Sequence, residues 1–185
     1  MAVISPPRAS IDDLLKGEGK AELIGGKVVR FMPSGFTPSM VAFEIAVSLR
    51  EHAKRIGRGF ASVDGLGFTV PELPSGRESF CPDAAYHDGP PPERRMRFVE
   101  AAPTFAVEVR SENDYGPAAE RAMAAKRADY FAAGTRVVWD VDTEAETVRS
   151  FRGSESSMME FRRGDTANAE PAVPGWAIPI NSIFG

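Results

Sequence analysis

The sequence predicts an α/β (α+β) domain in which a mixed central β-sheet is flanked by helices. Length and composition give the first reason: 185 residues, 43% hydrophobic and 26% charged, suit one domain with a real core, and two domains would be cramped. The domain is expected to span 1–185, with an N-terminal arm or helix over 1–20 and a C-terminal hairpin extension over 145–185. The second reason is the mixture of periods, since runs alternating every second residue stand beside runs with helical spacing. The third is the succession Phe105 to Ser111, Pro117 to Ala133 and Thr135 to Asp142. Strand, helix and strand in that order predict a parallel pair joined by a right-handed crossover.

In chain order, Ser10 is placed to cap a short helix through Asp12, Asp13, Leu14 and Leu15, with acidic residues in the first turn where the dipole favours them. Gly17 to Gly19 ends it. Glu22 to Phe31 has two β-prone arms around Gly25-Gly26, a dipeptide that accepts the positive φ of a primed hairpin turn. Alternation puts Glu22 and Ile24 on one face. Thr37-Pro38 reads as the cap and first turn of a helix to about Ile56, with Val41, Ala42, Ile45, Leu49, Ala53 and Ile56 on its apolar face. Phe60 to Val70 is β-rich with a bend or hairpin at Asp64-Gly65, and Pro71 to Arg77 is a loop. Phe80 to Tyr86 reads as a strand carrying Asp83, with Pro82 marking an edge or a strand start. Beyond the proline-rich loop around Pro90 to Pro92 comes the strand from Phe105. Gly134 is the expected C-cap of the helix that follows. Val148 to Phe151 and Met158 to Phe161 form a terminal hairpin, and Trp176 to Ile180 a last short strand.

A net charge of -4 and a pI near 5.3 argue against a protein that coats nucleic acid through bulk charge, while leaving room for local basic patches. Arg50, Lys54, Arg55 and Arg58, or Arg94, Arg95 and Arg97, could line a phosphate backbone, though the usual fate of such clusters is a solvated face. The single cysteine, Cys81, excludes an internal disulfide and any cysteine-based metal site, which favours a reducing cytoplasm. It reads as an inert core residue. No run of 18 apolar residues occurs, so the expectation is a soluble, unprocessed, cytoplasmic protein.

Three acidic residues interrupt β-prone apolar stretches: Glu22, Asp83 and Glu108. Adjacent central strands can bring them together, and an oxygen-only set selects a hard divalent cation such as Mg²⁺ or Mn²⁺. On the helix from Pro117, advancing about 100° per residue from Ala119 places Ala122, Met123, Tyr130 and Ala133 within about 60° of one direction. Lys126 falls inside that stripe. A lysine among core-facing positions needs an anionic partner or a function, and Glu108 is the nearest candidate. Carboxylates, a metal ion and an ammonium are the parts for hydrolysing a phosphodiester: the ion activates water, and the ammonium orients it or stabilises the developing charge. Plainer readings stand beside this one. Glu108 and Lys126 could be a pair clamping strand to helix, Asp83 could cap a turn, and Glu22 could be solvated on its hairpin. His87 could reach a metal or phosphate from the strand end, or lie in a surface loop. Tyr130 and Trp139 read as core, and Ser111 as a turn residue.

Pro82-Asp83, 24 intervening residues and Glu108-Val109-Arg110 resemble the signature of the PD-(D/E)XK nuclease superfamily, with arginine where its lysine usually stands. Glu22-Leu-Ile-Gly-Gly-Lys27, Pro82-Asp83, Val107-Glu-Val-Arg-Ser111 with Asn113-Asp114, Lys126 with Tyr130, Gly134 and Val138-Trp-Asp-Val-Asp142 together resemble the Uma-type putative restriction endonucleases. The likeness runs from about Glu22 to Asp142. In that family the catalytic lysine has moved from the strand to the helix, which carries its role onto Lys126. Relatives often have a histidine shortly after the hairpin, where this chain has Phe36-Thr-Pro38-Ser39. The resemblance implies a restriction-endonuclease-like core, metal-dependent DNA hydrolysis and a homodimer.

The resulting expectation is a divalent-metal-dependent DNA endonuclease with Asp83 and Glu108 as ligands, the Val109 carbonyl as a third, Glu22 as an auxiliary ligand and Lys126 as the catalytic ammonium. Arg110 is the fallback if the helix is rotated. The alternative is a catalytically silent nuclease-fold module that binds DNA or a protein partner. Neither an organic cofactor nor a membrane is expected.

Overall fold

The computed structural model describes residues 7–154 and 156–185, so the beginning of the expected N-terminal arm lies outside the described residues. Its elements are α1 (Ile11–Lys16), β1 (Ala21–Ile24), β2 (Lys27–Arg30), α2 (Phe36–Ile56), β3 (Phe60–Val63), β4 (Phe68–Thr69), β5 (Ser79–Phe80), β6 (Ala84–His87), β7 (Phe105–Val109), α3 (Pro117–Ala132), β8 (Val137–Asp142), β9 (Thr147–Arg152), β10 (Met158–Phe161), β11 (Thr166–Asn168), β12 (Ala177–Pro179) and α4 (Ile180–Ile183). The central sheet runs β10-β9-β8-β7-β6-β3. Only β7 and β8 are parallel neighbours in it, with Glu108 opposite Asp140. The mixed sheet and its parallel pair are as the sequence predicts.

Pleating gives this sheet two different faces. Phe105, Val107, Val137 and Trp139 point to α2 and pack with Val41, Ile45 and Leu49. Ala106 and Val138 point the other way, toward Tyr130 of α3 and toward Phe68 and Phe80 of the β4-β5 ribbon. The C-terminal segment adds to the first core: the Trp176 ring lies 5.2 Å from Trp139 and 5.7 Å from Phe105. Between the two apolar layers β7 is fixed on both sides. A carboxylate placed on it is therefore held in one orientation.

Several boundaries differ from expectation for local reasons. Gly25 and Gly26 take φ of 58° and 69°, the primed turn the dipeptide predicts. Ser10 and Asp13 form a reciprocal capping box. In contrast α2 begins at Phe36 with Gly35 as an N-cap lacking any side-chain bond, and Thr37-Pro38 lies inside the first turn. A proline there removes only an amide that has no partner anyway. The expected strand Phe80 to Tyr86 is two strands. β5 pairs with β4 outside the central sheet, β6 pairs with β3 and β7, and Cys81-Pro82-Asp83 connects them. Asp64-Gly65 is a bend, because β3 and β4 join different sheets. Ala133 caps α3, and Gly134 with φ of 103° follows it. β12 falls within the expected last strand, Trp176 to Ile180, whereas its antiparallel partner β11, three residues long, is absent from the sequence reading.

Candidate active site

Glu108 stands near the end of β7 on the face that meets α3. Its Oε2 accepts from Lys126 Nζ at 2.9 Å, and its Oε1 accepts from the Tyr130 hydroxyl at 2.6 Å. Lys126 and Tyr130 are four residues apart on one helix, so both reach the same carboxylate. Lys126 thus points inward, as its place in the stripe predicts. Ala122 does not: it is exposed, and Arg127 is buried instead, drawn in by Asp140 at 2.9 Å.

Glu22 is fully buried. Its Oε1 accepts from the Cys81 amide at 3.0 Å and lies 3.1 Å from Lys126 Nζ, while Oε2 is paired with Arg77. Arg77 in turn donates to Asp129 of α3 at 2.9 Å. The hairpin is not solvated on this side because residues 76–79 cover it: Gly25 N–H donates to the Gly76 carbonyl at 2.6 Å, and Leu23 N–H to Ser79 Oγ at 2.7 Å. Glu22 is therefore a second carboxylate on Lys126, beside Glu108.

Asp83 lies in the connection between β5 and β6. Its own amide donates to the Val107 carbonyl at 3.1 Å, and its Oδ2 accepts from the Val109 amide at 2.7 Å. Two backbone bonds to β7 thus seat Asp83 beside the stretch that carries Glu108. Val109, expected to contribute its carbonyl, meets Asp83 through its N–H. Asp83 Oδ1 is paired with the ammonium of Lys20, which also lies 2.8 Å from Asp64 Oδ1. Asp64 and Asp83 form the acidic end of a cavity of about 310 Å³ whose other walls include Met40, Phe43, Val63 and Ser34.

The electrostatics divide the carboxylates. Burial raises the Glu108 carboxyl above its ordinary range, Lys126 opposes that shift, and Asp83 and Glu22 add to it. For Glu22 burial acts in the same sense, but Lys126, Arg77 and the Cys81 amide outweigh it and hold the group ionised. Lys126 and Lys20 are both held in their charged forms: burial works against this, and the carboxylates around them more than offset it. The Tyr130 phenol is pushed well up by burial and by Glu108, so it is a hydrogen-bond donor at any working pH.

These contacts set three cations, Lys20, Arg77 and Lys126, against five carboxylates, Glu22, Asp64, Asp83, Glu108 and Asp129. The cluster retains negative charge after its internal pairing, which suits a further cation. Among the described residues no three His, Cys, Asp or Glu side chains converge as a ligand set. Mg²⁺ commonly binds through one or two carboxylates and completes its octahedron with water and substrate phosphate. Asp83 and Glu108, each oxygen retaining a lone pair beyond its hydrogen bond, fit that pattern.

Other candidates are placed elsewhere. Arg110 is 2% exposed; it makes two 2.7 Å bonds to Asp140 and pairs with Glu120. The fallback lysine position is consumed by that network. His87 bonds the Ala102 carbonyl at 3.1 Å and packs on Phe60. Cys81 is buried with its thiol pushed up to about 11, principally by burial, consistent with an inert role. Ser111 and Asp114 close a turn. In the basic clusters Lys54 pairs with Glu51, Arg58 with Asp88 and Arg97 with Asp12, while Arg94 and Arg95 are exposed. Sequence reasoning missed Lys20, Asp64 and Arg77. Lys20 and Arg77 sit outside the apolar runs that made the other charges conspicuous, and Asp64 stands beside Gly65, where an aspartate reads as a turn residue.

No described helix is long and apolar enough to cross a membrane. No curated protein matches the chain. The crystal structure of a putative nuclease belonging to DUF820 from Anabaena variabilis superposes with a TM-score of 0.71 at 20% identity, covering 94% of this chain and 96% of that one. At that identity the match establishes a shared fold. The family profile of Uma2, described as putative restriction endonuclease, matches residues 10–181. Its span takes in β1, the Asp83 connection, β7 and α3 together, and the chain belongs to the Uma2 family.

Proposed function

We propose that this protein is a divalent-metal-dependent endonuclease that hydrolyses DNA phosphodiester bonds. The observation that carries the reading is the double anchoring of Lys126 by Glu22 and by Glu108, the latter on the strand to which Asp83 is tied by two bonds to the backbone. Asp83 and Glu108, with the Val109 carbonyl, would hold Mg²⁺ or Mn²⁺. When bound, such an ion supplies charge neutralisation at the phosphate and a more acidic water.

The protein's own groups do the rest. Lys126 stays an ammonium under the influence of its two carboxylates, so it acts as a donor to charge developing on a phosphate oxygen. Glu22 is enclosed by Arg77, Cys81 and Lys126, and its part is to aim that ammonium. Tyr130 fixes the rotamer of Glu108 through Oε1. Arg94 and Arg95 are exposed, and in this reading they contact phosphates of the DNA backbone. The same reading includes a cytoplasmic homodimer, in which two sites address the two strands. Sedimentation of the purified protein tests the dimer, and a monomer at micromolar concentration counts against it.

A second reading has one observation in its favour: every oxygen of Asp83 and Glu108 already has an N–H or O–H partner. A catalytically silent module that binds DNA or a protein would look the same. Incubating plasmid DNA with Mg²⁺ or Mn²⁺ and the wild-type protein, Asp83→Asn and Lys126→Ala separates the two. Cleavage by the wild type alone is expected. Undiminished cleavage by Lys126→Ala overturns the assignment, and DNA retention without cation-dependent cleavage by any of the three supports the silent module.

A further inference from the structure

Lys20 has no part in the chemistry above, yet it is bound where the cation would be needed. Its ammonium spans Asp83 Oδ1 and Asp64 Oδ1, two residues that line the same cavity. Asp83 has only two oxygens, and the other is tied to the Val109 amide. The lysine therefore covers the less constrained oxygen of the residue proposed as principal ligand. An ammonium is a compact, strongly hydrated cation that seeks the same oxygen donors as Mg²⁺. It is also attached to a flexible four-carbon stem.

The two anchors of Lys20 differ. Asp83 has a side chain only 13% exposed and is fixed to β7, whereas Asp64 is 47% exposed on the bend after β3. Asp64 is not a member of the proposed ligand set, so it can keep the ammonium after Asp83 has given it up. We infer that Lys20 is a positioning residue that occupies the cation-binding oxygen of Asp83 when no divalent ion is bound and withdraws onto Asp64 when one binds. Lys20 then sets the affinity of the site by competition, and Asp64 sets how strongly Lys20 competes. The ammonium stays in the cavity instead of returning to solvent. This inference rests on the proposed metal-dependent reading, with Asp83 as ligand.

The test is titration of the full chain with Mn²⁺ alone by isothermal calorimetry, alongside Mn²⁺-dependent plasmid cleavage by the wild type. Lys20→Met, which keeps the aliphatic stem and removes the charge, is expected to bind Mn²⁺ at least tenfold more tightly. Lys20→Gln serves the same purpose if the methionine variant does not fold, and Lys20→Arg is expected to stay near wild type. Asp64→Asn is expected to weaken binding several-fold in the wild-type background and to have no effect when combined with Lys20→Met. An Asp64 effect of equal size in both backgrounds would show that Asp64 acts on the ion directly and overturns the relay. If the wild type cleaves with Mn²⁺ but Lys20→Met binds it no better, the inference fails and the metal reading stands. If none of the proteins binds Mn²⁺ or cleaves, both fail.

Discussion

β7 and the residue that follows it, Arg110, meet two clusters of buried charge beside α3, and they are built on opposite principles. At Arg110 a guanidinium lies bidentate on Asp140, with Arg127 on the same carboxylate and Glu120 closing the outer side. Planar donors match planar acceptors, and Arg110 and Asp140 are each only 2% exposed at the side chain. At Glu108 the donors are the ammonium of Lys126 and a phenol, carboxylates outnumber cations, and the Lys126 and Glu108 side chains remain 18% and 17% exposed. A void of about 30 Å³, lined by residues of both, lies between them. The first cluster is complete in itself. The second retains unbalanced negative charge, a raised carboxyl and a neighbouring cavity, the features that distinguish a site for chemistry from a structural lock.

The sharpest way to break this contrast is to neutralise the carboxylate of the closed cluster. Asp140→Asn leaves Arg110 and Arg127 buried around an amide, and losing one partner of a buried pair costs about 3–5 kcal/mol. In a domain of this size that lowers the melting temperature by roughly 10 °C. Calorimetric melts at neutral pH measure it. A shift of only a degree or two would mean that the arginines find water or other acceptors, and the claim of a closed lock would fall.

How much of this was legible in the sequence follows from what each charge stands among. Glu108 and Lys126 were visible because each interrupts an apolar pattern of known period, β in one case and helical in the other. The mixed sheet and its parallel pair were visible for the same reason. Arg77 and Lys20 lie in loop-like stretches where charge is ordinary, and nothing local shows that residues 76–79 fold back over the hairpin. Glu22 reads either as an auxiliary ligand or as solvated on its hairpin, because nothing local shows that Arg77 and Cys81 enclose it. Arg110 fits the superfamily spacing, but only the register of Glu108 against Asp140 reveals that its partner is on the next strand.

A smaller effect is expected from Tyr130→Phe. The ring remains stacked on Phe80, at 4.1 Å between centroids, so the loss is one hydrogen bond to a carboxylate, about 1.5 kcal/mol. Because the phenol donates to Glu108, its removal raises the Glu108 carboxyl further and moves the acid limb of the cleavage profile to higher pH. Stability and pH-rate measurements on the same variant read both. An unchanged acid limb would show that Glu108 does not titrate in the reaction.

The smallest stability effect, and the one that divides the clusters most cleanly, is expected from Glu108→Gln. Burial raises the carboxyl of Glu108, so the folded protein holds that proton more tightly than the unfolded chain, whose group titrates near the ordinary value of 4.5. From about pH 4.5 upward to the raised value the wild type therefore loses stability, and above it the full penalty is present. Glutamine carries no such penalty, its oxygen still accepts a hydrogen bond, and Lys126 retains Glu22 at 3.1 Å. The variant should thus be at least as stable as the wild type at pH 7–8, with its relative advantage shrinking as the pH falls through that window and gone below about 4.5. Cleavage should be abolished at every pH. A loss as large as that for Asp140→Asn would make Glu108 and Lys126 a clamp between strand and helix, the same kind of object as the arginine cluster, because stability kept while activity is lost requires that the charge be held for something other than folding.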